Sequence, residues 1–342
     1  DAIEQKLRLD GKPRLKLLEH DAEVFENYLG VLDQKEKAKY GTRAFAKRYK
    51  FITELIDDNF SELSDLQNFY TKLNSLTLLR ITMIDLVDAF TVFSSLNAKG
   101  LPLTLIDLLK STFIKATVGE IDTREASDLW DKLISMFVSG DSQAKSTAIT
   151  QFLLNNYDTF ISDKTSSITK MKALKKYQAV FENKGYKYIY ELIDHAQLFS
   201  VISPVVDADP DIAFSSDVMR CANDLMKLDA SQSYPLMMFL LEHHRDGRIQ
   251  EQTVVSALKL LTKFYVRRNI VLKPKASNIR AAFLNVVRET EHSSNLDQDV
   301  MKKVSETVQN ISVPDDEFKV ALNDAVYEIS PRTVRFILIN LE

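Results

Sequence analysis

Turn formers are scarce in this chain, and that scarcity is its strongest constraint. Among 342 residues there are only 8 Gly and 8 Pro. A many-stranded sheet needs a tight turn every few residues. A chain this poor in turn residues is expected to run in long helices. Side-chain spacing agrees. Val300, Val304, Val308 and Ile311 make a stripe at helical period. Comparable patterns predict helices at 122–138, 144–160, 167–183, 186–200, 215–228, 233–245, 250–270, 275–290, 296–310 and 331–342. Nearer the start, Asp21 suits the cap of "AEVFENYLGVL". Thr42 suits that of a helix with Phe45, Tyr49, Ile52 and Ile56 on one face, and Ser61 that of another ending near Leu73. Two segments depart from this pattern. "LRLDGKPRLKLLEHD" alternates around Asp10-Gly11, a hairpin signature, and "SLTLLRITMID", Ser75 to Asp85, is a second strand candidate. The expected fold is mainly α: a multi-helix, bundle-like protein with a small two- to three-stranded antiparallel β element near its N-terminus.

The length exceeds what one simple core organises, so two or three subdomains are expected. The division drawn from the sequence is 1–118, with the hairpin and strand, and 119–342, all helical, carrying a basic helical region at 250–290. Apolar residues make up 45% and charged residues 27%, the balance of a soluble globular chain. The single Cys221 excludes an internal disulfide and suits a reducing, cytoplasmic setting. No apolar run approaches the ~18 residues of a membrane span, so no membrane partner is expected. The start, "DAIEQKLRLD", is charged and lacks the apolar stretch of a secretory signal. The final "SPRTVRFILINLE" opens a helix at Ser330 and Pro331, ends on strongly apolar residues and shows no C-terminal cap. The chain is therefore expected to be a fragment of a longer protein.

Few residues point to chemistry. His243 and His244 are adjacent and diverge by about 100° on a helix, so they cannot share a metal as an i, i+4 pair does. His20 lies between Glu19 and Asp21. No glycine-rich phosphate loop occurs. Cys221, in "VMRCANDLM", reads as a buried structural thiol. Asp57-Asp58 and Asp315-Asp316 read as helix ends and caps. No catalytic residue and no metal ligand is assigned.

Charge is more informative. From Gln252 to Arg288 there is no acid, and Lys259, Lys263, Arg267, Arg268, Lys273, Lys275, Arg280 and Arg288 give the window a net +8. With the whole chain at −4, the remainder carries −12. Lys259, Lys263 and Arg267 recur at i, i+4, i+8, a single stripe, while Leu258, Leu261 and Tyr265 share another face. Unrelieved like charge is unfavourable until something neutralises it. Two readings stand: acids of the same protein, or the phosphates of a nucleic acid. Arg267 and Arg268 diverge by about 100°, so one is expected in an ion pair and the other exposed. A second basic window, "KEKAKYGTRAFAKRYK", interleaves Tyr40, Phe45 and Tyr49 with seven basic residues and one acid. It reads as a solvated helix face.

The most organised passage is "DAFTVFSSLNAKGLPLTLIDLLKS", Asp88 to Ser111. Ala89, Val92, Phe93 and Leu96 share a helical face. Asn97 suits a helix end and Gly100 a left-handed turn. Pro102 blocks continuation, and Thr104 with Asp107 forms a capping box for the next helix. Corner building explains these residues but leaves Lys99 and Lys110 unexplained.

This passage resembles the pattern F-x-x-L-N-x-R/K-G-x-P-L-x-x-x-D-L-I/L-K of the GmrSD-type restriction-protein family. The matching residues are Phe93, Leu96, Asn97, Lys99, Gly100, Pro102, Leu103, Asp107, Leu108 and Lys110, with Lys99 where arginine is commoner. "LLTKFYVRRNIVLKPKASNIRAAF" is similar to the family's aromatic-x-x-R-R segment at Arg267 and Arg268, and "RTVRFILINLE" to the helix before its nuclease domain. The family's upstream Asp-Gly-Gln-Gln-Arg motif and downstream Glu-His-Ile-x-Pro nuclease signature do not occur here. The resemblance implies the helical, non-catalytic middle of a bacterial restriction effector acting against modified or phage DNA. The parent would use a nucleoside triphosphate and a divalent metal, with neither assigned to this chain. Expected partners are DNA at Lys259, Lys263, Arg267, Arg268, Lys273, Lys275 and Arg280, the flanking domains, and a second copy of the chain in a homodimer. The alternative is an unrelated helical scaffold whose basic stripe docks an acidic protein.

Overall fold

A computed structural model of the chain describes residues 8–9, 12–14, 43–77, 92, 104–137, 142–162, 167–206, 214–322 and 326–340. Fifteen α-helices run through these residues, so the protein is mainly α. The chain divides into two compact units, Asp1–Thr82 and Met83–Glu342. The division expected at 118/119 falls inside the second unit. There the helix after Thr104 buries Leu109 and Phe113, and it packs on the two helices that carry Trp130 and Phe181.

In the first unit, α1 (Arg43–Asn59) and α2 (Leu63–Asn74) are the described helices. Asp57 and Asp58 lie at the end of α1, as expected. The cap of α2 is Glu62, in extended backbone, and not the expected Ser61. The expected apolar face of α1 is present but uncovered: Ile52 is 55% exposed and the neighbouring Phe51 63%. Phe60 and Phe69 meet in a tilted contact, centroids 5.0 Å apart, across the α1–α2 connection. The expected β element is not supported as a layer. Among the described residues the only paired strands are Arg8–Leu9 and Lys12–Pro13, antiparallel and two residues each, and so short a pairing has no stability of its own. The second strand candidate begins as a helix end, because Ser75 caps α2 and its N–H donates to the Thr71 and Lys72 carbonyls. The rest of that candidate, and the segments at Asp21 and Thr42, lie outside the described residues.

The second unit holds the remaining helices: α3 (Leu105–Ala116), α4 (Thr123–Ser135), α5 (Ser142–Phe160), α6 (Lys170–Lys184), α7 (Tyr188–Ile202), α8 (Ser216–Lys227), α9 (Tyr234–Arg245), α10 (Glu251–Val271), α11 (Ala276–Thr290), α12 (Leu296–Ile311), α13 (Asp315–Leu322), α14 (Val326–Ile329) and α15 (Pro331–Ile339). The ten expected from spacing agree within three residues at either end. The short α13 and α14 span too few turns to display a period and were not among the helices read from spacing.

α9 lies at the centre, packed on α5, α7, α10 and α11. Its first eight residues, Tyr234 to Leu241, are all buried. A helix stretch that is apolar all round has to be enclosed; α7 buries ten residues and leaves exposed one side, which carries Glu191 and Asp194. Around them the helices are amphipathic. α12 turns Val300, Val304 and Val308 inward, the stripe read from sequence. The α3–α4–α6 corner is filled by Phe113, Trp130 and Phe181, with ring centroids 5.3–6.3 Å apart in tilted or edge-on contact. Such pairs contribute about 0.5–1.5 kcal/mol each beyond their buried area.

Candidate nucleic-acid interface

The basic region expected at 250–290 is two helices, α10 and α11. Leu272 breaks them: it takes a left-handed conformation at φ 61° and donates its N–H to the Arg268 carbonyl. Leu258, Leu261 and Tyr265 are fully buried, as their shared face predicts. The cations go to several destinations.

Arg280 and Arg288 reach from α11 to the C-terminal end of α5. Arg280 donates from Nε to Ser167 Oγ (2.6 Å), from Nη1 to Asn155 Oδ1 (2.7 Å) and from Nη2 to Asp158 Oδ2 (2.7 Å). Asp158 is 1% exposed, and its other oxygen accepts the Ile168 N–H at 2.9 Å. Arg288 donates to the carbonyls of Asp158 and Thr159 and to Glu291. The last turn of α5 has no basic residue of its own. Its open carbonyls and negative dipole end are satisfied from another helix. A cavity of about 320 Å³ opens beside Arg280, lined also by Gln151, Ser231 and Gln232.

Arg267 and Lys273 turn instead to the start of α13. Arg267 donates to the Val313 carbonyl (2.8 Å) and Asp315 Oδ1 (2.7 Å), and its guanidinium lies 4.8 Å from the Phe318 ring. Lys273 meets Glu317 at 2.7 Å. Asp315 and Asp316 open α13, the helix-start role expected of them. Arg268 corrects the expectation of one paired and one exposed arginine. Arg267 is the paired one, but Arg268 is half-buried, donating to Asn269 Oδ1 at 3.1 Å.

Lys259, Lys263 and Lys275 are exposed and make no ion pair among the described residues. Lys263 edges a groove of about 600 Å³ between α10 and α12. The seven-residue DNA surface expected from sequence therefore does not present itself as one free surface. Arg267, Lys273 and Arg280 are committed to acids of the same chain, and phosphate would have to displace those acids.

Of the corner motif, Phe93, Leu96, Asn97, Lys99, Gly100 and Pro102 lie outside the described residues. The capping box is present: Thr104 N–H donates to Asp107 Oδ2 (2.8 Å) and Asp107 N–H to Thr104 Oγ1 (3.3 Å). Lys110, unexplained from sequence, grips both Asp131 oxygens at 2.8 and 2.9 Å and ties α3 to α4.

One polar cluster escaped the sequence reading. His195 on α7 donates from Nδ1 to Asn156 Oδ1 at 2.6 Å and stacks on Phe160. The Asn156 amide donates to Tyr188 OH (2.9 Å) and Tyr177 OH (3.2 Å), and Tyr177 OH donates to the Leu153 carbonyl (2.7 Å). Burial, with Arg245 and Lys184 adding, pulls the imidazole down to about 3, so it is neutral. Burial pushes both tyrosine hydroxyls up. These groups are buried and bonded to one another, and the cluster reads as a satisfied core network. The polar run Asn155-Asn156-Tyr157-Asp158 inside a helix pattern was its only signal. Burial also pushes the Cys221 thiol up, away from nucleophile chemistry. No grouping of His, Cys, Asp and Glu able to hold a metal occurs among the described residues, and no described helix is long and apolar enough to cross a membrane. Compared with family models, curated proteins and solved structures, the chain matches none.

Proposed function

We propose that this chain is a non-catalytic helical coupling module, and that it serves within a nucleotide-dependent restriction protein of the GmrSD type. The observation carrying the coupling role is the destination of the window's arginines. Arg280 and Arg288 lock α11 to the end of α5, and Arg267 locks α10 to the start of α13. Cross-ties between helix ends join these helices through specific bonds, which is what transmission between flanking activities requires. The restriction assignment rests on the residues from Phe93 to Lys110. Incubating the pure chain with duplex DNA and a divalent metal is expected to leave the DNA uncut. Cleavage abolished by a point substitution within the chain would overturn the proposal.

A second reading, direct contact with duplex DNA, is favoured by the three exposed lysines that make no ion pair among the described residues. Each phosphate contact contributes about 0.9 to the slope of log affinity against log salt. Replacing Lys259, Lys263 and Lys275 with Ala should then lower that slope by about 2–3 units, alike across DNA sequences. An unchanged slope would leave protein docking as the role of this surface.

A further inference from the structure

A cleft lined by no residue of the basic window combines features that nothing above assigns. It lies where α15 packs on α8, encloses about 410 Å³, and is lined by Met226, Lys227, Arg332, Arg335, Phe336, Ile339 and Asn340. That volume is within the range of about 300–1,000 Å³ typical of ligand pockets. The floor is apolar: Phe336 is 9% exposed and Met226 half-buried, while Ile339 stands 63% exposed at the edge. The polar side chains around it are three cations and one amide, with no acid among them. Arg332 and Arg335 are exposed and make no ion pair among the described residues. Lys227 meets Asp224 only at 3.4 Å. In a chain with net charge −4 this is a locally positive, partly greasy hollow.

We infer that this cleft docks an acidic amphipathic helix of a partner protein, with a large apolar side chain on the Met226–Phe336–Ile339 floor and carboxylates on Arg332 and Arg335. The geometry selects that occupant. Arg332 and Arg335 are three residues apart on one helix, so their guanidiniums project from one side about a turn apart. A facing helix presents carboxylates at the same spacing. The methionine and phenylalanine floor is the kind that accepts helix-borne apolar anchors. Duplex DNA would satisfy the arginines but offers nothing apolar to the floor. A bilayer surface is too flat to fill a hollow. The inference rests on the cleft alone and stands or falls apart from the restriction reading.

The test is fluorescence anisotropy of a labelled synthetic helix of about 16 residues, with Leu and Phe at i, i+3, i+4 and i+7 flanked by Glu, titrated with the full chain. Saturable binding is expected, weakened at least about tenfold, or 1.4 kcal/mol, by Arg332→Glu with Arg335→Glu. Both residues are exposed, so the melting curve should not move. A matching peptide with Lys for Glu should bind the wild type poorly and the doubly reversed variant better. Replacing Leu and Phe by Ser in the peptide should abolish binding. The proposal is overturned if the acidic peptide does not bind, or binds wild type and charge-reversed variant alike. It is equally overturned if the Ser peptide binds as well as the original. Binding confined to duplex DNA or to anionic vesicles, lost in the same double variant, would also overturn it and assign the arginines to phosphate.

Discussion

Asp158 is the residue on which Arg280 and Arg288 converge. One oxygen takes Arg280, the other the Ile168 N–H, its carbonyl takes Arg288, and its side chain is 1% exposed. Removing one partner of a buried pair strands the other, at a cost of about 3–5 kcal/mol. Asp158→Ala should lose about 3 kcal/mol in urea unfolding, because Arg280 stays 20% exposed and keeps two other acceptors. His195 makes a separate prediction. Its folded value, about 3, lies below that of an unfolded histidine. The unfolded chain therefore binds the proton first. Stability from the neutral imidazole is complete above about pH 6.5 and falls as pH drops toward 3, by up to about 1.4 kcal/mol per unit. His195→Gln should flatten the acid limb of a stability–pH curve. An unaltered limb would assign acid sensitivity to other groups.

At the scale of elements, the break between α10 and α11 carries a testable strain. Leu272 holds φ 61° and is 57% exposed, so its side chain gains little from burial there. A left-handed non-glycine residue costs about 1–2 kcal/mol. Leu272→Gly is expected to raise stability by about 0.5–1 kcal/mol after the entropy that glycine adds to the unfolded chain. The two cations that meet α13 should separate in the same assay. Arg267 is 25% exposed and bonded to both a carbonyl and a carboxylate, so Arg267→Ala should cost about 1–2 kcal/mol. Lys273 is 68% exposed, and Lys273→Ala should change stability by less than about 0.5 kcal/mol. Similar losses for both would mean that α13 is held by net charge and not by the specific bonds of Arg267.

For the whole molecule, the described helices of the two units differ in how well they enclose apolar surface. α2 buries none of its residues, and α1 leaves Phe51, Ile52 and Leu55 more than half exposed. The second unit encloses α7 and α9. The only tryptophan, Trp130, lies in that second unit and is fully buried. In thermal unfolding, helical circular dichroism should begin to fall before Trp130 emission shifts to the red, because the less enclosed helices open at lower free energy. Coincident transitions would show one cooperative body instead.

Much of the helical order was legible in the sequence. Scarce turn residues, the Val300–Val304–Val308 stripe, the Thr104–Asp107 box and the buried face of Leu258, Leu261 and Tyr265 are local signals, set by neighbours within a turn or two. Their elements form where spacing places them. The hairpin motif around Asp10-Gly11 is local too, but strands need a covering layer, and the start of the second candidate was drawn into a helix end. The candidate surface was decided by tertiary structure. A run of eight cations reads alike whether it faces phosphate or carboxylate, since no local pattern names a partner 120 residues away. Asp158 lies 122 residues from Arg280, and Asp315 lies 48 from Arg267. Lys110 pairs across 21 residues with Asp131. The sequence determined that the window is positive and free of acids. Only the packing of α5 on α11 and of α10 on α13 decided which of its cations are paired within the chain and which stay exposed, because electrostatic pairing follows distance in space and not separation along the chain.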